Sequence, residues 1–183
     1  MFKKIEIENQ KEPANPKKIR EFEQLTKLEL PNEYKKWLLT YNGGKPKIED
    51  TFYFIHPIDK NEKVGGINYF YALYEGEVSN LYKTYITFLN RIPAELIPIA
   101  DNGCGDQICL GIKGKHLNKV YFWGHENEVM EDNKEPWWDN VYLIANTFAD
   151  FINKLFYAEI NQDEWKKNKR IVYTYHPPSS DFS

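Results

Sequence analysis

"LIPIADNGCGDQICLGIKGKHLNKVYFW" (residues 96–123) contains three apolar runs, "LIPIA", "QICLGI" and "KVYFW", separated by "DNGCGD" and "KGKHLN". Short runs of β-branched and aromatic residues, closed by glycine, asparagine and aspartate, are the pattern of strands joined by turns. Their close succession predicts an antiparallel meander. "NVYLI" (140–144) is expected to add a further strand.

The first of these turns looks at first like a reaction centre, because it brings Asp101, Cys104 and Asp106 close to Cys109 in an apolar setting. Asn102, Gly103, Gly105 and Asp106 nevertheless read as a structural turn, since short polar side chains there bond to nearby backbone. A metal centre would need more oxygen, cysteine or histidine ligands at characteristic spacing, and C-x4-C alone does not supply them. A metal-dependent hydrolase built on Asp101, Cys104, Asp106 and His116 is the enzymatic alternative. If Cys109 lies on a strand, its odd separation from Cys104 points the two thiols to opposite faces, so no disulfide is expected.

Helices flank the meander. In "ANPKKIREFEQLTKLEL", Asn15 is a candidate N-cap and Pro16 the first helical residue, with Ile19, Phe22 and Leu25 recurring behind them. "LPNEYKKWLLTYNGG" places Tyr34, Trp37, Leu38 and Tyr41 on one helical face, and Asn42, Gly43 and Gly44 end the helix. A third helix is expected after Ser79, with Leu81, Tyr82, Tyr85, Phe88 and Leu89 on one face. A fourth should follow Asn146, burying Phe148, Phe151, Ile152 and Leu155. "TFYFIHPI" reads as a strand, "DKNEKVGGIN" as an exposed loop, and residues 171–175 as one more strand in a basic tail.

Composition narrows the function. The chain of 183 residues is 42% hydrophobic and 16% aromatic, enough for a single core, and its net charge of −3 lacks the basic excess of a general nucleic-acid binder. No run reaches the roughly 18 apolar residues of a membrane span, and the start lacks a secretory apolar block, so a cytoplasmic location without membrane attachment is expected. His56, His116, His125 and His176 are scattered, no HExxH or G-x-S-x-G motif occurs, and Gly43-Gly44 and Gly65-Gly66 match no phosphate-binding loop. No catalytic residue, metal or cofactor is therefore assigned.

Charge does cluster in "GHENEVMEDNKEPWWDN" (124–140). Glu126, Glu128, Glu131, Asp132, Glu135 and Asp139 stand against Lys134, and six acids against one lysine leave −5. A solvated loop held by its tryptophans would explain this composition. So would a docking site for a basic protein, in which complementary charge speeds encounter and aromatic residues carry affinity. On the second reading the partner-binding residues are Glu126, Glu128, Glu131, Asp132 and Glu135 with Trp137 and Trp138. The cations Lys166, Lys167, Lys169 and Arg170 read as solvated surface.

"LPNEYKKWLLTYNGG", "IPIADNGCGDQICLGI" and "VYLIANTFADFINKLF", in this order, resemble the SUKH superfamily of fungal Smi/Knr-type cell-wall regulators and bacterial toxin-immunity proteins. The resemblance spans residues 16–156. It implies a single α+β domain, a twisted, mainly antiparallel sheet packed by about four helices. It also implies a non-catalytic protein that binds and neutralises a polymorphic or contact-delivered protein toxin, many such toxins being nucleases, with no direct contact to nucleic acid. An intracellular regulatory or scaffolding module of the same fold is the alternative. The expected organisation is an N-terminal extension (1–14), the SUKH-like domain (15–158) and a C-terminal tail (159–183).

Overall fold

The computed structural model describes residues 1–55, 60–128, 136–160 and 173–176. Its element order is β1 (Ile7–Glu8), α1 (Pro16–Thr26), α2 (Asn32–Thr40), β2 (Lys45–Pro46), β3 (Thr51–Ile55), β4 (Glu62–Gly66), β5 (Tyr69–Phe70), α3 (Leu81–Thr87), β6 (Leu96–Asp101), β7 (Gln107–Gly111), β8 (Val120–Trp123), β9 (Val141–Ala145), α4 (Phe148–Lys154), β10 (Tyr157–Ile160) and β11 (Tyr173–His176). The fold is a single-domain α+β arrangement in which helices cover mainly antiparallel sheets. The central sheet has the order β5-β6-β7-β8-β9, every neighbour antiparallel. Three two-stranded pairs, β1-β2, β3-β4 and β10-β11, surround it.

The meander strands alternate between two buried faces, which is why their sequences read as nearly continuous apolar runs. Ile97, Ile99, Ile108, Leu110, Val120 and Phe122 enter the main core with Phe22, Tyr34, Trp37, Phe148 and Phe151. Trp37 lies 4.9 Å from Phe70 and 5.5 Å from Phe148, while Phe54 stacks on Phe122 at 4.7 Å. Leu96, Cys109, Tyr121 and Trp123 point the other way and form a smaller cluster with Ile92, Phe88 and Trp138. Cys104 is exposed and Cys109 buried, and both thiols are free.

Local chemistry accounts for the helix ends. The Asn15 side chain accepts from the Lys18 amide at 2.9 Å, capping α1 ahead of Pro16. The α2 face of Tyr34, Trp37, Leu38 and Tyr41 is buried, and the chain leaves it through Asn42 (φ 50°) and Gly43 (φ 82°). A Cβ on Gly43 would stand 2.6 Å from the Ala72 Cβ, so the backbone could not pass there with a side chain. Asn42 itself is buried, donating to the carbonyls of Glu12 and Leu73 and accepting from the Leu73 amide.

Several elements differ from expectation. Glu62–Gly66, read as loop, is strand β4, whose pairing with β3 supplies the stability its polar, glycine-rich sequence lacks. Leu25 does not join the buried face of α1 and is 68% exposed. Helix α3 is capped by Asn80, whose Oδ1 accepts from the Lys83 amide at 3.0 Å, and not by Ser79. It ends at Thr87, so Phe88 turns to the smaller cluster and Leu89 is exposed. Thr147, not Asn146, caps α4, through its hydroxyl and the Asp150 amide. The residues before α1 are packed, with Ile5 and Ala14 buried and β1 paired to β2. Strand β10 crosses Ala158, and β11 begins at Tyr173, with 171 and 172 outside the described residues.

Candidate partner-binding surface

The turn between β6 and β7 carries Asn102, Gly103, Gly105 and Asp106. Asp101 Oδ1 accepts from the Gly103 amide at 2.8 Å, and Asn102 Oδ1 from the Cys104 amide at 2.8 Å. Asp106 reaches further: its Oδ2 accepts from Asn102 Nδ2 at 2.6 Å, and its Oδ1 from the His125 amide at 2.9 Å. The same Oδ1 lies 2.7 Å from His125 Nδ1. Asp106 thus ties the turn to the first residues of the acidic segment.

That segment is closed at its neck. The Gly124 amide donates to the Asn140 carbonyl at 2.9 Å, and Asn140 Nδ2 donates to the Gly124 carbonyl at 3.0 Å. Between them a short 3-10 turn (His125–Asn127) leads to Glu128. Glu128 accepts from Arg91 through both carboxylate oxygens, at 2.9 Å from Nε and 2.8 Å from Nη2. This hydrogen-bonded carboxylate raises the Arg91 pKa above its ordinary value. The guanidinium also lies over the rings of Phe88, at 4.7 Å, and Trp123, at 5.9 Å.

The returning limb is held by aromatic contacts. Trp138 stacks on His116 with ring centroids 4.1 Å apart, and His116 Nδ1 lies 2.8 Å from the Tyr121 hydroxyl. Burial, then the Lys115 charge, lowers the His116 pKa, which suits a neutral ring accepting from that hydroxyl. Trp137 is 41% exposed.

The sequence-derived candidates therefore separate. Glu126 and Trp137 are exposed, Trp138 is half-buried against His116, and Glu128 is engaged by Arg91 with only 12% of its side chain exposed. Glu131, Asp132 and Glu135 lie outside the described residues. Arg91, His116 and His125, which brace the segment, carried no local signal: Arg91 and Glu128 are 37 positions apart. Among the described residues no three histidine, cysteine or carboxylate groups are placed to hold a metal, and no helix is long and apolar enough to cross a membrane.

Known sequences resemble this chain. The family model described as SMI1 / KNR4 family (SUKH-1) matches residues 13–154. The SPbeta prophage-derived uncharacterized protein YokK of Bacillus subtilis (strain 168) is 30% identical over 169 residues, which cover 82% of this chain and 81% of that protein. The family match runs from the cap of α1 through the meander to the end of α4, the same elements that build the core and brace the acidic segment; the chain belongs to the SMI1/KNR4 family (SUKH-1).

Proposed function

We propose that this protein is a non-catalytic, cytoplasmic immunity protein that neutralises a polymorphic or contact-delivered bacterial toxin by binding it directly. The observation that supports this reading is the acidic, tryptophan-flanked segment clamped onto the sheet at Gly124–Asn140 and at Arg91–Glu128. Fixing both limbs before encounter lowers the ordering entropy that binding must overcome. A nuclease toxin presents cations to hold phosphates, so an acidic segment can occupy the surface its nucleic acid would use. Family membership supports the same reading through the immunity role of SUKH proteins.

The test is co-purification of the chain with the C-terminal domain encoded by the adjacent reading frame, together with an assay of that domain's toxicity. A stoichiometric complex that abolishes toxicity is expected. Binding to a resident protein with no toxicity to suppress would replace immunity with the regulatory reading.

A further inference from the structure

Helix α1 and the connection from β5 to α3 face each other across a groove of about 410 Å³. The buried Phe22 and Leu73 make its floor with the half-buried Tyr82, whose ring meets Phe22 edge to face at 6.5 Å. The α1 wall carries Lys18, Glu21 and Leu25. The opposite wall, residues 73–76 and the start of α3, carries Glu75 and Lys83. This second wall is fixed in advance: Asn80 Nδ2 donates to the Tyr74 carbonyl at 2.7 Å, the Tyr74 hydroxyl donates to the Val78 carbonyl, and Lys11 Nζ lies 4.8 Å from the Tyr74 ring centroid.

The rim and the charges decide what covers the groove. Leu25 is 68% exposed, and Val78, in the connection that forms the second wall, is 77% exposed. A small molecule in the groove would leave these side chains in water, whereas a second protein surface removes them from it. Each wall bears one lysine and one glutamate, so the groove has no net charge with which to select a basic or an acidic partner. Lys83 is paired with Glu77 and Glu21 with Lys17, while Lys18 and Glu75, on opposite walls, have no ion-pair partner among the described residues. A surface with an apolar projection, an apolar recess and one unmatched charge of each sign is its own complement, which is the condition for an isologous twofold contact.

We propose that this groove is a homodimer interface and that its occupant is a second copy of this chain. A twofold axis running along the groove lays the α1 wall of one copy on the opposite wall of the other. Leu25 then enters the other copy's groove, and Lys18 meets the other copy's Glu75. None of these residues belongs to the acidic segment or its braces, so the inference stands apart from the partner-binding reading, and the dimer carries two acidic segments.

The test is analytical ultracentrifugation of the full chain over a concentration series reaching the millimolar range at low ionic strength. A monomer–dimer equilibrium is expected. Leu25→Glu, at an exposed helix position, should leave the chain monomeric throughout, with circular dichroism confirming the fold. Lys18→Glu and Glu75→Lys should each weaken the dimer by about tenfold or more, because each sets like charges against each other at both symmetry-related contacts. Mixing the two charge variants in equal amounts should restore association as a heterodimer, in which every contact again joins opposite charges. A chain that is monomeric at every concentration, a dimer indifferent to Leu25→Glu, or a mixture no more associated than either variant alone would overturn the proposal.

Discussion

The Arg91 guanidinium grips the Glu128 carboxylate through two parallel hydrogen bonds, of 2.9 and 2.8 Å, across 37 positions of sequence. Paired in this way, Glu128 is a brace of the acidic segment more than a free charge for a partner. A double-mutant cycle with Arg91→Ala and Glu128→Gln should give a coupling of about 1 kcal/mol, at the upper end for a partly exposed pair because the geometry is bidentate. Glu126→Gln should then slow partner association more than Glu128→Gln does, measured as rates across a salt series. The reverse order would mean that the Arg91 pair opens on binding.

Asp106 accepts from Asn102 Nδ2 and from the His125 amide, and its carboxylate also meets the His125 ring. Asp106→Ala leaves these donors without their acceptor. A loss of about 1–3 kcal/mol in thermal or denaturant unfolding is expected, with loosening of residues 125–128 seen as faster amide exchange. An unchanged stability would show that water replaces the carboxylate at no cost.

Phe151 is fully buried, 5.8 Å from the Phe52 ring and 6.3 Å from Phe148. Phe151→Ala should cost about 3–5 kcal/mol, the range for emptying an aromatic core site. Denaturant titration measures this directly, and a change under about 1 kcal/mol would mean that α4 repacks to close the space.

His116 offers a pH test. Its pKa is lowered first by burial and then by Lys115, so the folded state favours the neutral ring. Its contribution is fully present above the unfolded value of about 6.5 and is lost as pH falls below it. Stacking on Trp138 acts in the opposite sense, since a protonated ring over an indole is attracted to it. NMR titration of the His116 ring should give a midpoint below that of a free histidine. A midpoint above it would show that the Trp138 contact outweighs desolvation.

Wherever a few neighbouring residues settle the conformation, the sequence is an adequate guide. Asn15 and Pro16 set the start of α1 through one side-chain bond and one fixed dihedral angle. Tyr34, Trp37, Leu38 and Tyr41, and later Phe148, Phe151 and Ile152, repeat at helical spacing, and all of them are buried. The strands of the meander are apolar throughout and separated by turn residues, so their order and direction follow from short connections. These signals are local: capping, periodicity and turn chemistry act within a few residues.

Tertiary structure decided the rest, because the determining contacts lie far apart in sequence. Only Val64 in "EKVGG" favours a strand, and β4 exists because β3 offers its backbone groups a partner. Leu25 has the spacing of a core residue and remains exposed, while Phe88 leaves its helix to join Trp123 on the opposite face of the sheet. The acid-rich composition of residues 124–140 was legible, but not that Arg91 would engage Glu128 or that His116 would stack on Trp138. Charge composition records which groups a segment carries; only the folded chain determines which of them already have partners and which are left to meet another protein.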